Sequence, residues 1–105
     1  MNFVIVIFQD NEFSLPIEIL NYDGSGKDLT GLIVKAGIKF QDGTVVLKDC
    51  IIEDIGFISL PISTTDTANI GIYTVEIRLE KIGYKESWGE FSFKVEESII
   101  LKGTP

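Results

Sequence analysis

The 105-residue sequence has no histidine, one cysteine, and nine basic residues against 16 acidic ones. Without histidine, neither a Ser-His nor a Cys-His catalytic pair can form, and zinc loses its usual nitrogen ligand. Cys50 is alone, so an intrachain disulfide is excluded and nothing requires an oxidising compartment. The net charge of −7 disfavours nucleic acid and anionic membranes as partners, because both attract clustered Lys and Arg. We therefore predict a non-enzymatic protein that needs no metal or cofactor.

Long apolar runs are also missing. The opening residues 1–8 are mostly apolar but far shorter than the ~20 residues that span a bilayer. They have neither a basic leader nor a small-residue cleavage site, so we expect a chain made in the cytoplasm that does not enter a membrane. The length supports one hydrophobic core. We expect one domain over residues 1–97, followed by a tail or the start of a connector over residues 98–105.

The clearest pattern that is present lies in residues 73–80. Tyr73, Val75, Ile77 and Leu79 alternate with polar residues, which is typical of a strand with one buried and one solvated face. Gly71 and Tyr73 stand at its entrance, where immunoglobulin-like sandwiches carry a tyrosine whose hydroxyl bonds to the backbone at the corner. We predict that Gly71 and Tyr73 form this structural corner, without the disulfide of antibody domains.

Similar short runs recur every 8–12 residues, with turn signals between them and no helical periodicity. This pattern predicts an all-β fold, an immunoglobulin-like antiparallel β-sandwich of about seven strands. We expect a hairpin loop over Lys81–Ser87 and a last strand around Phe91–Val95. Whether residues 49–54 continue the fourth strand stays open at this stage. The expected strands cover residues 2–9, 13–20, 32–40, 45–48, 57–62, 73–80 and 90–96.

The loop Asn21–Gly31 slightly resembles a calcium loop. Asp23, Ser25 and Asp28 have the spacing of oxygen ligands, but the distal bidentate Glu is missing and Lys27 lies inside the loop. Glycine, asparagine and aspartate are also the residues that turns require. We therefore predict a turn at this position and no metal site.

The first strand has apolar residues on both faces. Phe3, Ile5 and Ile7 would lie on one face and Val4, Val6 and Phe8 on the other, whereas one sandwich core can cover only one of these sets. The uncovered set would form an apolar strip of the kind found at interaction sites. We predict that residues 3–8 form an interface and that the protein is a homo-oligomer or docks onto another protein. The alternative is that a local bulge, or the tail with Ile99, Ile100 and Leu101, folds over the second face.

Trp88 and Tyr84 are the only aromatic residues placed for a sugar-stacking platform. A structural role at the end of the core is favoured over glycan binding, because tryptophan is usually buried. A carbohydrate-binding or adhesin-type immunoglobulin-like module stays as the alternative function.

The order of several short motifs resembles a known family. The two most specific are Asp28-Leu29-Thr30-Gly31 and Gly71-Ile72-Tyr73, and similarity extends from Gln9 to Glu96. The chain looks like the N-terminal domain of the baseplate upper protein family from tailed phages of Gram-positive bacteria. The other motifs are Gln9-Asp10-Asn11, Leu15-Pro16-Ile17, Asp23 to Gly31, Phe40 to Thr44, Gly71 to Leu79 and Phe91 to Glu96.

This resemblance implies a virion protein of the tail baseplate. In that family the immunoglobulin-like domain docks onto the baseplate and carries the receptor-binding components through a following segment, so the implied partners are other tail and baseplate proteins. No helical linker or host-binding region follows the domain in this sequence. We therefore expect either a fragment of a longer protein or a stand-alone adaptor.

Overall fold

The computed structural model describes residues 5–99, which fold as an all-β sandwich of eight strands. One sheet has five strands in the order β1-β8-β7-β3-β4, and the other has three in the order β2-β6-β5. The two sheets pack face to face. The strands are β1 (Ile5–Phe8), β2 (Phe13–Glu18), β3 (Ile33–Lys39), β4 (Val45–Asp49), β5 (Ile51–Asp54), β6 (Phe57–Ile62), β7 (Gly71–Lys81) and β8 (Tyr84–Glu96).

The core lies between the sheets and is built by alternation along the strands. All four residues predicted to point inward from β7 are at most 2% exposed. Burying side chains of this size removes most of their apolar surface from water, which stabilises the fold by about 1.5–3 kcal/mol for each large one. The buried apolar residues are Ile7, Ile19, Leu29, Val34, Ala36, Ile38, Ile58, Leu60, Ile62, Tyr73, Val75, Ile77, Leu79, Phe93 and Val95.

The predicted hairpin loop over Lys81–Ser87 is wrong. Strand β8 begins at Tyr84, directly after a two-residue turn at Ile82 and Gly83, and Lys81 pairs with Tyr84. Gly83 has a φ of 77° whereas the φ of Ile82 is negative, the combination of a type II turn, which requires glycine at its second central position. The polar residues after Gly83 suggested a loop, but they belong to the exposed end of a long hairpin.

A bulge interrupts this hairpin at Trp88. Ile77 pairs with Gly89 and Arg78 pairs with Ser87, so Trp88 is the extra residue on β8. It is half-buried and packs against the core, in line with the structural role favoured from the sequence.

The antiparallel β-sandwich predicted from the sequence is confirmed, with one departure at β1. This strand pairs in parallel with β8, from Ile5 opposite Phe93 to Phe8 opposite Glu96, whereas every other pair of strands is antiparallel within residues 5–99.

Residues 49–54, for which the sequence did not decide between a continued fourth strand and a new one, pass from one sheet to the other. Asp49 ends β4 in the larger sheet, and Ile51 begins β5 in the smaller one.

Residues 5–99 contain no helix long and apolar enough to cross a membrane.

Candidate functional site

The side chains of Val6, Ile7 and Phe8 in β1 alternate between the outer face of the sheet and the core, as the sequence predicts. Ile7 is 3% exposed in the core, whereas Val6 and Phe8 are 49% and 48% exposed on the outer face of the five-stranded sheet. Ile5, at the start of the strand, is 40% exposed. Phe3 and Val4, the other two residues of the predicted interface, lie outside the described residues. Two large apolar side chains are therefore presented together at the edge of a sheet.

The end of β1 is held firmly to the domain. The Gln9 amide donates to the Glu96 carbonyl at 2.9 Å, and the Gln9 side chain donates to the Ala68 carbonyl at 3.0 Å. The fully buried Thr67 donates its hydroxyl to the Asn11 carbonyl at 2.9 Å. These bonds fix the position of β1 without using the side chains of Val6 or Phe8, so the exposed side chains are presented on a rigid strand.

Within residues 5–99, the backbone of β1 has no partner strand on its outer side. Successive N–H groups along a strand point alternately toward its two sides. Because the N–H of Gln9 points toward β8, those of Val6 and Phe8 point away from β8, toward the edge of the sheet. An unpaired row of this kind is a template for pairing with another strand.

The other three edge strands carry features that discourage such pairing. Pro16 removes a donor from β2, and β5 has an irregular register beside Glu53 and Asp54. In β4, Lys48 points its charge inward. Strand β1 has neither a charge nor a proline nor a bulge, so it is the least protected edge among the described residues.

The predicted corner residues lie at the start of β7. The hydroxyl of Tyr73 donates to the carbonyl of Asn69, as a tyrosine corner requires. The Tyr73 ring is 2% exposed, stacks on Phe40 at 5.0 Å between centroids and meets Phe93 edge-on at 4.9 Å. Burial is the main cause that raises the pKa of Tyr73 above its ordinary value. Gly71 has a φ of 149°, which side chains rarely adopt, so a glycine is required at this entrance.

A buried ion pair close to the corner was not predicted from the sequence. The Lys48 ammonium contacts the Asp66 carboxylate and also donates to the Pro61 carbonyl at 3.1 Å. Asp66 is 3% exposed and accepts further bonds from the Ser63 amide at 2.8 Å and its hydroxyl at 3.0 Å. The spacing Ser63-x-x-Asp66 is a capping-box pattern, and it was the available sequence signal for the turn at this position. Nothing in the sequence indicates that Asp66 contacts Lys48.

The loop that resembles a calcium site uses its carboxylates within turns. Asp23 accepts from the Ser25 amide at 2.9 Å and from its hydroxyl at 2.5 Å, and Asp28 accepts from Thr30 at 3.0 and 2.7 Å in the same way. These bonds hold the pKa of both aspartates below the ordinary value. Among residues 5–99, no group of three His, Cys, Asp or Glu is arranged to hold a metal ion.

Trp88 and Tyr84 do not form a flat aromatic platform, since both pack against the core and Tyr84 donates its hydroxyl to Glu86. A depression of about 460 Å³ lies beside Trp88, with the exposed ring of Tyr22 on its other side.

Cys50 is half-buried, and burial, aided by the charge of Asp49, raises its pKa to about 11. The thiol is therefore protonated at neutral pH and unsuited to nucleophilic chemistry.

A second surface feature lies on the outer face of the five-stranded sheet. A shallow groove of about 350 Å³ has Gly37 as its floor, with Val45 and Leu47 on one side and Glu76 and Arg78 on the other. The sequence signal for it is a glycine between two lysines at the outward positions of β3.

No protein-family model matches this chain, and no curated protein is similar to it in sequence. Among solved structures, the fold is similar to the "N-terminal domain of phage TP901-1 ORF48", with a TM-score of 0.63 and 14% sequence identity. The match covers 90% of this chain and 83% of that chain. This likeness extends over nearly the whole sandwich and supports the fold.

Proposed function

We propose that this chain is a non-enzymatic structural protein of a phage virion, and that it docks through strand β1 onto other proteins of the tail baseplate. The observation that carries the proposal is the state of β1, an open edge with exposed Val6 and Phe8 on a strand that is otherwise firmly anchored. A partner strand placed there would extend the five-stranded sheet, and its own side chains would pack beside Val6 and Phe8.

Two likenesses support the virion setting. The sequence motifs resemble the baseplate upper protein family, and the fold is similar to an N-terminal domain of a phage TP901-1 protein. The composition supports a structural role as well, because a chain without histidine and with a protonated Cys50 is poorly equipped for catalysis.

The direct test is to purify particles of the phage that encodes the chain and to locate it with a gold-labelled antibody. The proposal predicts label at the tail tip and a fixed number of copies per particle by quantitative mass spectrometry. Infectious particles that contain none of the chain would refute it.

Carbohydrate binding is a second candidate function, favoured by the depression between Trp88 and Tyr22. The readout is binding to a glycan array, with Tyr22→Ala as the test variant. Tyr22 is fully exposed, so its removal should leave the fold intact and abolish binding if the ring stacks on a sugar. Absence of glycan binding by the wild-type chain would eliminate this candidate without affecting the docking proposal.

A further inference from the structure

The open edges of the two sheets lie on the same side of the sandwich. Strands β4 and β5 are the last strands of their sheets and follow each other directly, with only Cys50 between them. The opposite edges, β1 in the five-stranded sheet and β2 in the three-stranded one, therefore lie together on the other side. Among the described residues, neither β1 nor β2 has a partner strand beyond it, so two open strand edges bound the core on this side.

Side chains that point into the core on this side are incompletely buried. Ile5 has the same orientation as Ile7 on β1 and is paired with the fully buried Phe93, yet it is 40% exposed. The inward-facing residues of β2 are also partly exposed, although their partners on β6 are at most 2% exposed. We call this part of the core, which an added side chain could reach, the lateral seam. It consists of Ile5 from β1 and of Phe13, Leu15 and Ile17 from β2.

The geometry of β1 and of the lateral seam fits one kind of occupant, an extended segment. The N–H groups of Val6 and Phe8 point to the open edge, two residues apart, which is the spacing that a paired strand satisfies. Every second side chain of such a strand points inward, beside the row that contains Ile5 and Ile7. A helix over the same edge would bury these N–H groups without acceptors, because its own carbonyls are engaged along its axis.

The rim of the lateral seam is acidic. Residues 5–18, which form β1, β2 and the connection between them, include Asp10, Glu12 and Glu18 but no Lys or Arg. All three acidic residues are exposed. A segment with Lys or Arg next to its apolar residues is therefore favoured over an acidic one, because complementary charge speeds the encounter and disfavours wrong partners.

We propose that the partner of β1 is an extended segment of another tail protein, with large apolar residues at every second position and basic residues beside them. It pairs with β1 through its backbone and inserts the apolar side chains into the lateral seam between β1 and β2. This inference rests on the proposed docking through β1 and specifies the chemistry of the partner. The inward positions of the segment determine which segment binds, whereas its outward positions lie beside Val6 and Phe8 at the surface.

Photo-crosslinking in assembled particles identifies the segment directly. The photoreactive residue p-benzoylphenylalanine can replace a phenylalanine with little change in shape. The test position is Phe13 in the lateral seam, with Phe8 on the outer face of β1 and Phe57 on the outer face of the other sheet for comparison. Mass spectrometry should find the same segment of a different tail protein at positions 13 and 8, with alternating apolar residues, and should not find it at position 57.

The cross-links distinguish this inference from docking itself. Cross-links from position 8 without any from position 13 would overturn the inference and leave docking through β1 intact. The same holds for a segment at position 13 that lacks the alternation or that belongs to a second copy of this chain. Absence of cross-links from both positions would contradict docking through β1, and the inference with it.

Ile5→Lys tests the lateral seam by a different readout, the number of copies in purified tails. The position is 40% exposed, so the lysine stem can carry its ammonium to solvent in the free domain, which should melt cooperatively. An added strand would bury that ammonium without a partner, so we expect at least about tenfold fewer copies. Val45→Lys, at a 57% exposed position on the opposite edge of the sheet, is the matched control and should give wild-type numbers. Normal incorporation of Ile5→Lys together with exclusion of Val6→Pro, which blocks only backbone pairing, would overturn the inference and leave docking through β1 intact.

Discussion

The Lys48 ammonium and the Asp66 carboxylate form a buried ion pair that joins the edge strand β4 to the turn before β7. The two residues are 18 positions apart in sequence and belong to different parts of the sandwich. Their contact closes the end of the core beside the tyrosine corner. It also turns a potential pairing edge into a protected one, because the charge of Lys48 points inward.

Lys48→Ala should destabilise the domain strongly. Removing the ammonium leaves the carboxylate of Asp66 buried with only the two Ser63 donors, and breaking a buried ion pair in this way costs about 3–5 kcal/mol. Lys48→Met with Asp66→Asn removes both charges and should recover most of that loss. Urea denaturation of the single and double variants measures the difference. Equal stability of Lys48→Ala and wild type would mean that the pair contributes nothing.

Tyr73→Phe should lower the free energy of unfolding by about 1 kcal/mol or somewhat more, the usual cost of losing one buried hydrogen bond. The ring contacts with Phe40 and Phe93 remain in the variant, so packing is preserved. The matched control is Tyr22→Phe, in which an equally small change is made on a fully exposed ring. If both variants melt at the wild-type temperature, the bond to Asn69 is not stabilising.

The turn aspartates should make the domain sensitive to acid. Hydrogen bonds from Ser25, Thr30 and Thr44 lower the pKa of Asp23, Asp28 and Asp42 below the ordinary value of 3.8. An aspartate with a lowered folded-state pKa stabilises the fold above its unfolded-state pKa, and this stabilisation disappears as pH falls through the folded-state pKa. We therefore expect the melting temperature to be constant near neutrality and to fall below about pH 4. Asp28→Asn should flatten part of this decline in melting temperature.

The thiol of Cys50 should resist alkylation in the native state. With a pKa of about 11, almost none of it is thiolate at pH 8, so iodoacetamide should react about a hundredfold more slowly than with a free cysteine. Because burial raises the pKa of Cys50 in the folded state, ionisation of the thiol works against folding. The domain should therefore keep its full stability at neutral pH and lose part of it as pH rises toward 11. Rapid labelling at pH 8 without loss of structure would show that Cys50 is exposed and reactive.

The parts of the fold that could be predicted are those specified by local patterns. The alternation of β7, its inward residues and the corner motif at Gly71 and Tyr73 are all visible in a short stretch of sequence. The parts that could not be predicted depend on contacts between distant segments. Parallel pairing of β1 with β8 joins the two ends of the domain, and the turn at Gly83 is shorter than its polar neighbours suggest.

The surfaces of β1 and of the groove also differ in whether a local sequence pattern or contacts between distant segments reveal them. The two apolar faces of β1 can be read from the sequence, because every residue from 3 to 8 is apolar. That β1 is the least protected of the edge strands can be seen only once the strand order is known. The groove over Gly37 requires the registers of four strands, since its charged walls come from β3, β7 and β8 and its apolar wall from β4.

The central claim, docking through β1, is tested most directly by incorporation of variants into particles. Val6→Pro removes an N–H that faces the open edge and not β8, so the domain should remain folded while strand pairing with a partner is blocked. Ser14→Pro makes the same change on the edge strand β2, which already contains Pro16. In phage that carry each variant gene, the measured quantity is the number of copies of the chain in purified tails. The account predicts wild-type numbers for Ser14→Pro and nearly none for Val6→Pro, provided that both purified variants melt cooperatively; equal incorporation of the two variants would contradict it.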